Sequence, residues 1–214
     1  MKEVNIGHTA EPNCQLPAVN CQLKNVCVYC ASSTQVDEKY FRAAQELGAL
    51  IAQKGLRLIT GAGRLGLMNT IQDAALAAGG EAIGVIPTFM VKEGWHHTGL
   101  TELIETHSMH ERKQTMANLS DGIIALPGGC GTMEELLEII TWKQLGLYVN
   151  PIVVLNIDGY YDALLAQLEK AVDENFMRTI HADIWKVATT PAEAIELLFT
   201  TPKWNKNIRK FAAI

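Results

Sequence analysis

The chain has 214 residues, 48% hydrophobic and 19% charged, proportions that suit one globular domain with a substantial core and exclude a disordered or membrane-embedded chain. Its net charge of −5 argues against bulk electrostatic attraction to nucleic acid, leaving room only for a local basic pocket. No apolar run approaches the ~20 residues of a membrane span, so neither nucleic acid nor membrane is an expected partner.

The first 25 residues carry Pro, Asn and Gln without periodicity and read as a flexible extension with no apolar secretion signal; a single domain is expected over 26–214. VCVYCA (26–31) is strand-like. Its Cys27 and Cys30 form a CxxC, but side chains three apart on a strand point to opposite faces, so a buried-core role is expected rather than a shared metal or bond. Five cysteines in all, an odd number, argue against a disulfide framework and for a reducing cytoplasm.

A helix over 37–54 follows, with Phe41, Ala44, Leu47, Leu50 and Ile51 at helical spacing. LRLIT (56–60) is the second strand, and LMNTIQDAALAA (67–78) a helix ended by Gly79-Gly80. EAIGVIP (81–87), LIET (103–106), GIIALP (122–127) and PIVVLNI (151–157) supply the third to sixth strands. A helix is expected over roughly 160–174. WKVAT (185–189) then leads into TPAEAIELLF, where Thr190 and Pro191 suit an N-cap and first helical residue. Continuous apolar strands alternating with amphipathic helices predict an α/β, Rossmann-like parallel sheet covered on both faces, with its ligand beyond the carboxyl ends of the strands.

Two glycine-rich turns, TGAGRLGLM (60–68) and PGGCGTMEE (127–135), each follow a strand and precede a helix. Such turns allow close backbone approach to an anion, and the helix start offers free N–H groups. Gly61, Gly63 and Gly66 satisfy GxGxxG, with Glu81 in range as the acidic partner of a dinucleotide site. The match follows the second strand rather than the first, which weakens it. Thr132 and Glu135 form a TxxE pattern, as do Ser108/Glu111 and Thr190/Glu193. Spacing alone therefore makes Glu135 a capping residue rather than a catalyst. Arg112 and Lys113 are adjacent on a predicted helix, where the plain reading is a solvated face. His107 and His110, with His96 and His97 nearby, lack a completing ligand, so no metal is expected.

SMHERKQTM (108–116) followed by ALPGGCGTMEELLEIITWKQLG (125–146) resembles the paired signature of the LOG family, phosphoribohydrolases that activate cytokinin nucleotides. CVYCASS (27–33), GAGRLGLM (61–68), GVIP (84–87) and NPIVVLNIDGYYDALL (150–165) extend the resemblance over about residues 26 to 180. Members are often labelled lysine decarboxylases, a name these residues do not support. The resemblance implies hydrolysis of the N-glycosidic bond of adenosine monophosphate or N6-substituted adenine nucleotides, without cofactor, in a homodimer. By matching position it makes Arg112 and Glu135 catalytic. It makes Glu93, Lys113, Thr141 and the loop Gly128, Gly129, Cys130, Gly131, Thr132, Met133 and Glu134 substrate-binding, with Ser32, Gly61, Gly63 and Met68 as further candidate contacts. A carboxylate would stabilise the positive charge that builds on ribose, and the glycine loop would hold the phosphate. Whether Arg112 meets phosphate, base or Glu135 is open at this level. Ala62, Asn69 and Cys130 depart from the family pattern. A nucleotide carrier without turnover and an NAD(P)-dependent oxidoreductase are the rival readings.

Overall fold

The computed structural model describes residues 23–206. The expected N-terminal extension lies outside them except for its last three residues, of which Asn25 opens the first strand. Seven strands form one sheet: β1 Asn25–Tyr29, β2 Arg57–Thr60, β3 Ala82–Pro87, β4 Glu102–Thr106, β5 Gly122–Ala125, β6 Ile152–Leu155 and β7 Lys186–Ala188. Every pairing is parallel and the order is β4-β3-β2-β1-β5-β6-β7. Six of these strands are expected from the sequence; the seventh is the three-residue core of WKVAT, too short at the sheet edge to show a period of its own.

Helices α1 Glu38–Gln53, α2 Gly66–Ala77 and α7 Pro191–Thr200 cover one face. The other face carries α4 Met109–Leu119, α5 Cys130–Gln144 and α6 Asp162–Asp173. A short α3, Thr88–Lys92, follows β3; it had no sequence signal. β1 shows why the sheet is apolar throughout. Val26, Val28 and Cys30 enter the core under α1 and α2, while Cys27 and Tyr29 enter the core under α4 and α5. The two cysteines thus diverge as strand geometry requires, and burial raises both thiol pKa values.

Two of the three TxxE patterns cap helices. Ser108 Oγ accepts from the Glu111 amide at 3.1 Å, and Thr190 Oγ1 from the Glu193 amide at 3.2 Å. Each glutamate reaches back to the residue before the cap, at His107 N and Thr189 N. The third pattern does not cap: α5 begins at Cys130 after Gly129, so Thr132 and Glu135 are both inside the helix and buried. The capping reading of Glu135 is therefore corrected.

β1 is where the chain reverses direction across the sheet, leaving through β2 to β4 and resuming with β5 to β7. Beyond the carboxyl ends of β1 and β5 the following loops diverge, which opens the crevice in which ligands of this architecture sit.

Candidate active site

A cleft of about 340 Å³ occupies that crevice. It is walled by the CASS segment after β1, the glycine turn after β2, Met90 of α3, Arg112 of α4, and the PGG loop with the first turns of α5. Of the residues singled out by sequence, Ser32, Gly61, Gly63, Met68, Arg112, Gly129, Gly131, Thr132 and Glu135 meet here. Cys30, Ala31, Ser33 and Met90 line it too and were missed as contacts; CASS was noted as a motif, whereas Met90 belongs to the unforeseen α3.

Arg112 is 7% exposed and Glu135 9%, with Nη2 of the one 3.7 Å from Oε1 of the other. The solvated-face reading of Arg112-Lys113 is thus wrong for both residues, since Lys113 is also buried. The Arg112 guanidinium is oriented by a bond from Nε to Val85 O at 3.1 Å. It lies across the backbone of Gly61, where a Cβ would fall 1.7 Å from Nη2. Any larger residue there would displace the guanidinium. Burial raises the Glu135 pKa, and the Arg112 charge opposes the rise. A carboxyl so held binds a proton more readily than an exposed one.

The two glycine turns differ in what their amides do. In the first, Ala62 N donates to Thr60 Oγ1 at 3.2 Å, Gly63 N to Met68 Sδ at 2.9 Å, and Arg64 N to Trp95 O at 3.0 Å. Gln72, fully buried, ties Thr60 Oγ1, Gly63 O and Met68 O together. Gly66 takes φ +63° with its Cβ position 2.4 Å from the Ser32 carbonyl carbon, so this turn packs tightly on CASS. Ala62 also sits in the left-handed region, at φ 62°, a conformation that favours glycine. In the second turn the first amide with an internal acceptor is Met133 N, bonded to Gly129 O at 3.0 Å. No side chain caps α5. The helix start facing the cleft thus offers N–H groups to a ligand, whereas the Ala62, Gly63 and Arg64 amides of the GxGxxG turn are committed to the protein itself.

Glu81 precedes β3, and its carbonyl accepts from Leu58 N at the start of β2, so it lies at the opposite end of the sheet from Gly61 and Gly63. A hollow of about 530 Å³ there is lined by Lys24, Arg57 and Glu81 with the ends of α1 and α2; it is remote from the cleft. The dinucleotide fingerprint fails on this placement. Among the described residues no cluster of three or more His, Cys, Asp or Glu has the proximity to hold a metal. His97 pairs with Asp73 at 2.8 Å.

The remaining predicted contacts lie outside the cleft. Lys113 Nζ sits between Glu134, at 2.5 Å, and Glu138, at 3.1 Å. Cys130, Met133, Glu134, Glu138 and Thr141 line a shallow hollow on the outer side of α5. Gly128 lies behind the loop, against the Thr132 side chain. Glu93 ends α3 and is exposed. No helix among the described residues is long and apolar enough to cross a membrane.

Residues 68–198 match a family model described as possible lysine decarboxylase. The chain is 44% identical over 183 residues to the cytokinin riboside 5'-monophosphate phosphoribohydrolase LOG5 of Arabidopsis thaliana, covering 84% of this chain and 79% of that protein. It is 47% identical over 156 residues to the cytokinin riboside 5'-monophosphate phosphoribohydrolase of Rhodococcoides fascians, covering 72% and 78%. Among solved structures, the molybdenum cofactor binding protein of Rippkaea orientalis superposes with a TM-score of 0.62 at 26% identity, covering 81% of this chain and 94% of that one. The molybdenum cofactor carrier protein of Chlamydomonas reinhardtii, at 24% identity and a TM-score of 0.63 over 83% and 97%, shares the fold. Signature loops, parallel sheet and these identities agree: the chain belongs to the LOG family, the group matched by the possible lysine decarboxylase model.

Proposed function

We propose that the protein hydrolyses the N-glycosidic bond of an adenine nucleoside 5'-monophosphate, releasing the free base and ribose 5-phosphate. The observation that carries this reading is the buried Arg112–Glu135 pair in a cleft that also receives the uncommitted amides of the α5 start. The phosphate binds the Gly129–Thr132 amides and the helix dipole. Glu135 lies about one helical turn further on, ~5 Å along the axis, facing the ribose. As the glycosidic bond lengthens, positive charge spreads over the ribose ring and its C1', and the Glu135 carboxylate stabilises it. The same carboxylate accepts a proton from the attacking water, a task favoured by its raised pKa. Arg112 opposes the rise in the Glu135 pKa and holds the carboxylate in place. The identity of 41–47% to cytokinin riboside 5'-monophosphate phosphoribohydrolases supports the reaction class.

A substrate-contacting role for Lys113, Glu134 and Thr141 is supported by the family resemblance, although Glu134 and Thr141 line the separate hollow on the outer side of α5. The proposed unit is a homodimer, supported by the exposed leucines 137, 145 and 147 on α5 and just beyond it, at 39%, 42% and 59% exposure. A reducing cytoplasmic setting is supported by the free thiols of Cys27, Cys30 and Cys130. Incubation with adenosine monophosphate and chromatography for adenine and ribose 5-phosphate tests the reaction. A carrier reading is favoured by the likeness to the molybdenum cofactor binding protein; nucleotide binding without base release would support it instead.

A further inference from the structure

Three consecutive carbonyls of the PGG loop are held by the protein. Tyr161 Oη donates to Leu126 O at 2.7 Å, the Ala31 amide donates to Pro127 O at 3.3 Å, and Tyr160 Oη donates to Gly128 O at 2.7 Å. In a planar trans peptide the C=O of one residue and the N–H of the next point in opposite directions. Fixing Pro127 O and Gly128 O therefore fixes where the N–H groups of Gly128 and Gly129 point, away from their anchors. Gly129 is a wall of the cleft.

The tyrosines are themselves fastened. Asn156 Oδ1 accepts from the Tyr161 amide and its Nδ2 donates to Asp162 Oδ1, both at 2.7 Å. Lys39 of α1 pairs with Asp158 in the same segment. The Tyr160 ring meets Tyr40 and Tyr161 edge-on, with centroids 5.7 and 5.0 Å away. Tyr161 is fully buried whereas Tyr160 is 42% exposed, so Tyr160 bonds the loop from a place where its ring contributes little core. Its hydroxyl bond goes to the one loop carbonyl whose peptide partner, the Gly129 amide, stands at the helix start.

We propose that Tyr160 is a positioning residue for anion recognition, orienting the Gly128–Gly129 peptide so that its N–H faces the phosphate of the substrate, with Tyr161 as the deeper anchor. This rests on the reading that the PGG loop holds the phosphate. Tyr160→Phe keeps the ring packing and removes only the hydroxyl. Losing one such hydrogen bond lowers phosphate affinity on the order of fivefold. In the otherwise native enzyme the expected result is a KM for adenosine monophosphate raised by that factor with kcat nearly unchanged.

Equilibrium binding of adenosine monophosphate and of adenosine, measured by calorimetry in a Glu135→Gln background that does not consume substrate, separates the two layers of the argument. The proposal expects Tyr160→Phe to weaken the nucleotide and leave the phosphate-free nucleoside unchanged. Equal weakening of both ligands, or full retention of the preference for the nucleotide, overturns the role of Tyr160 while leaving the phosphate site intact. Absence of any such preference with Tyr160 present overturns the phosphate site, and the Tyr160 role with it.

Discussion

Nη2 of Arg112 stands 3.7 Å from Oε1 of Glu135 while Nε of the same guanidinium donates to Val85 O at 3.1 Å. One buried cation thus links the end of β3 to the second turn of α5 across the cleft. Taking two charges out of water is costly, and removing one partner leaves the other buried and uncompensated. Such a pair stabilises a fold less than it holds reactive groups in place.

That link depends on Gly61. A methyl group there would fall 1.7 Å from Nη2, so Gly61→Ala must displace the guanidinium. Turnover is predicted to fall about 10²-fold, as expected for a misplacement of ~1 Å at a reacting centre. The circular dichroism spectrum is expected to be unchanged, because the displaced group is a side chain. Near-normal kcat in Gly61→Ala would mean that the position of Arg112 is not critical.

Burial raises the Glu135 pKa and Arg112 only partly offsets this. The ionised form is the reactive one, so kcat/KM is predicted to rise with pH through a limb above the usual glutamate range. The same shift fixes a stability sign. With the folded pKa above the unfolded one, the favourable contribution is complete below the unfolded value and is lost as pH rises through the folded value. Glu135→Gln removes this pH-dependent loss, so its melting temperature relative to the wild type should be higher at pH 7 than at pH 4, on top of the cost of leaving Arg112 without its carboxylate. Melting curves at both values check this; a variant that loses ground on the wild type between pH 4 and pH 7 would contradict it.

At the far end of α5, Lys143 is 1% exposed, donates to Asn150 O at 2.9 Å and lies 5.8 Å from the Trp204 ring centroid. Burial, and then the Lys186 charge, lower its pKa to about 8. With the folded pKa below the unfolded one, the stability contribution is present above the unfolded value and is lost as pH falls through about 8. At neutral pH the buried ammonium destabilises the fold. Lys143→Met is predicted to gain on the order of 2 kcal/mol at pH 7, with the gain shrinking by pH 10. Urea midpoints at the two pH values measure it, and activity should not change.

Much of this was legible in the sequence because it depends on local rules. Apolar strands alternating with helical periods gave the parallel sheet, and the divergence of Cys27 and Cys30 followed from strand geometry alone. Ser108 and Thr190 were readable as caps for the same reason. Thr132 and Glu135 carry the identical spacing yet do not cap, because α5 already begins at Cys130, ahead of Thr132. Chain neighbours do not reveal that Arg112 is buried against Val85 and Glu135, as those partners are 27 and 23 residues away. Likewise the tyrosines of NIDGYYD were visible as a motif, but their bonds to a loop more than 30 residues earlier belong to tertiary structure.

The most direct test of the catalytic account follows adenine release from adenosine monophosphate, and from an N6-isopentenyl analogue, by wild type and Glu135→Gln side by side. Release by the wild type, with a loss of about 10²-fold or more in the variant while nucleotide binding persists, is the predicted result. A Glu135→Gln protein that releases adenine at a near-normal rate, or a wild type that binds both nucleotides and releases neither base, would contradict it.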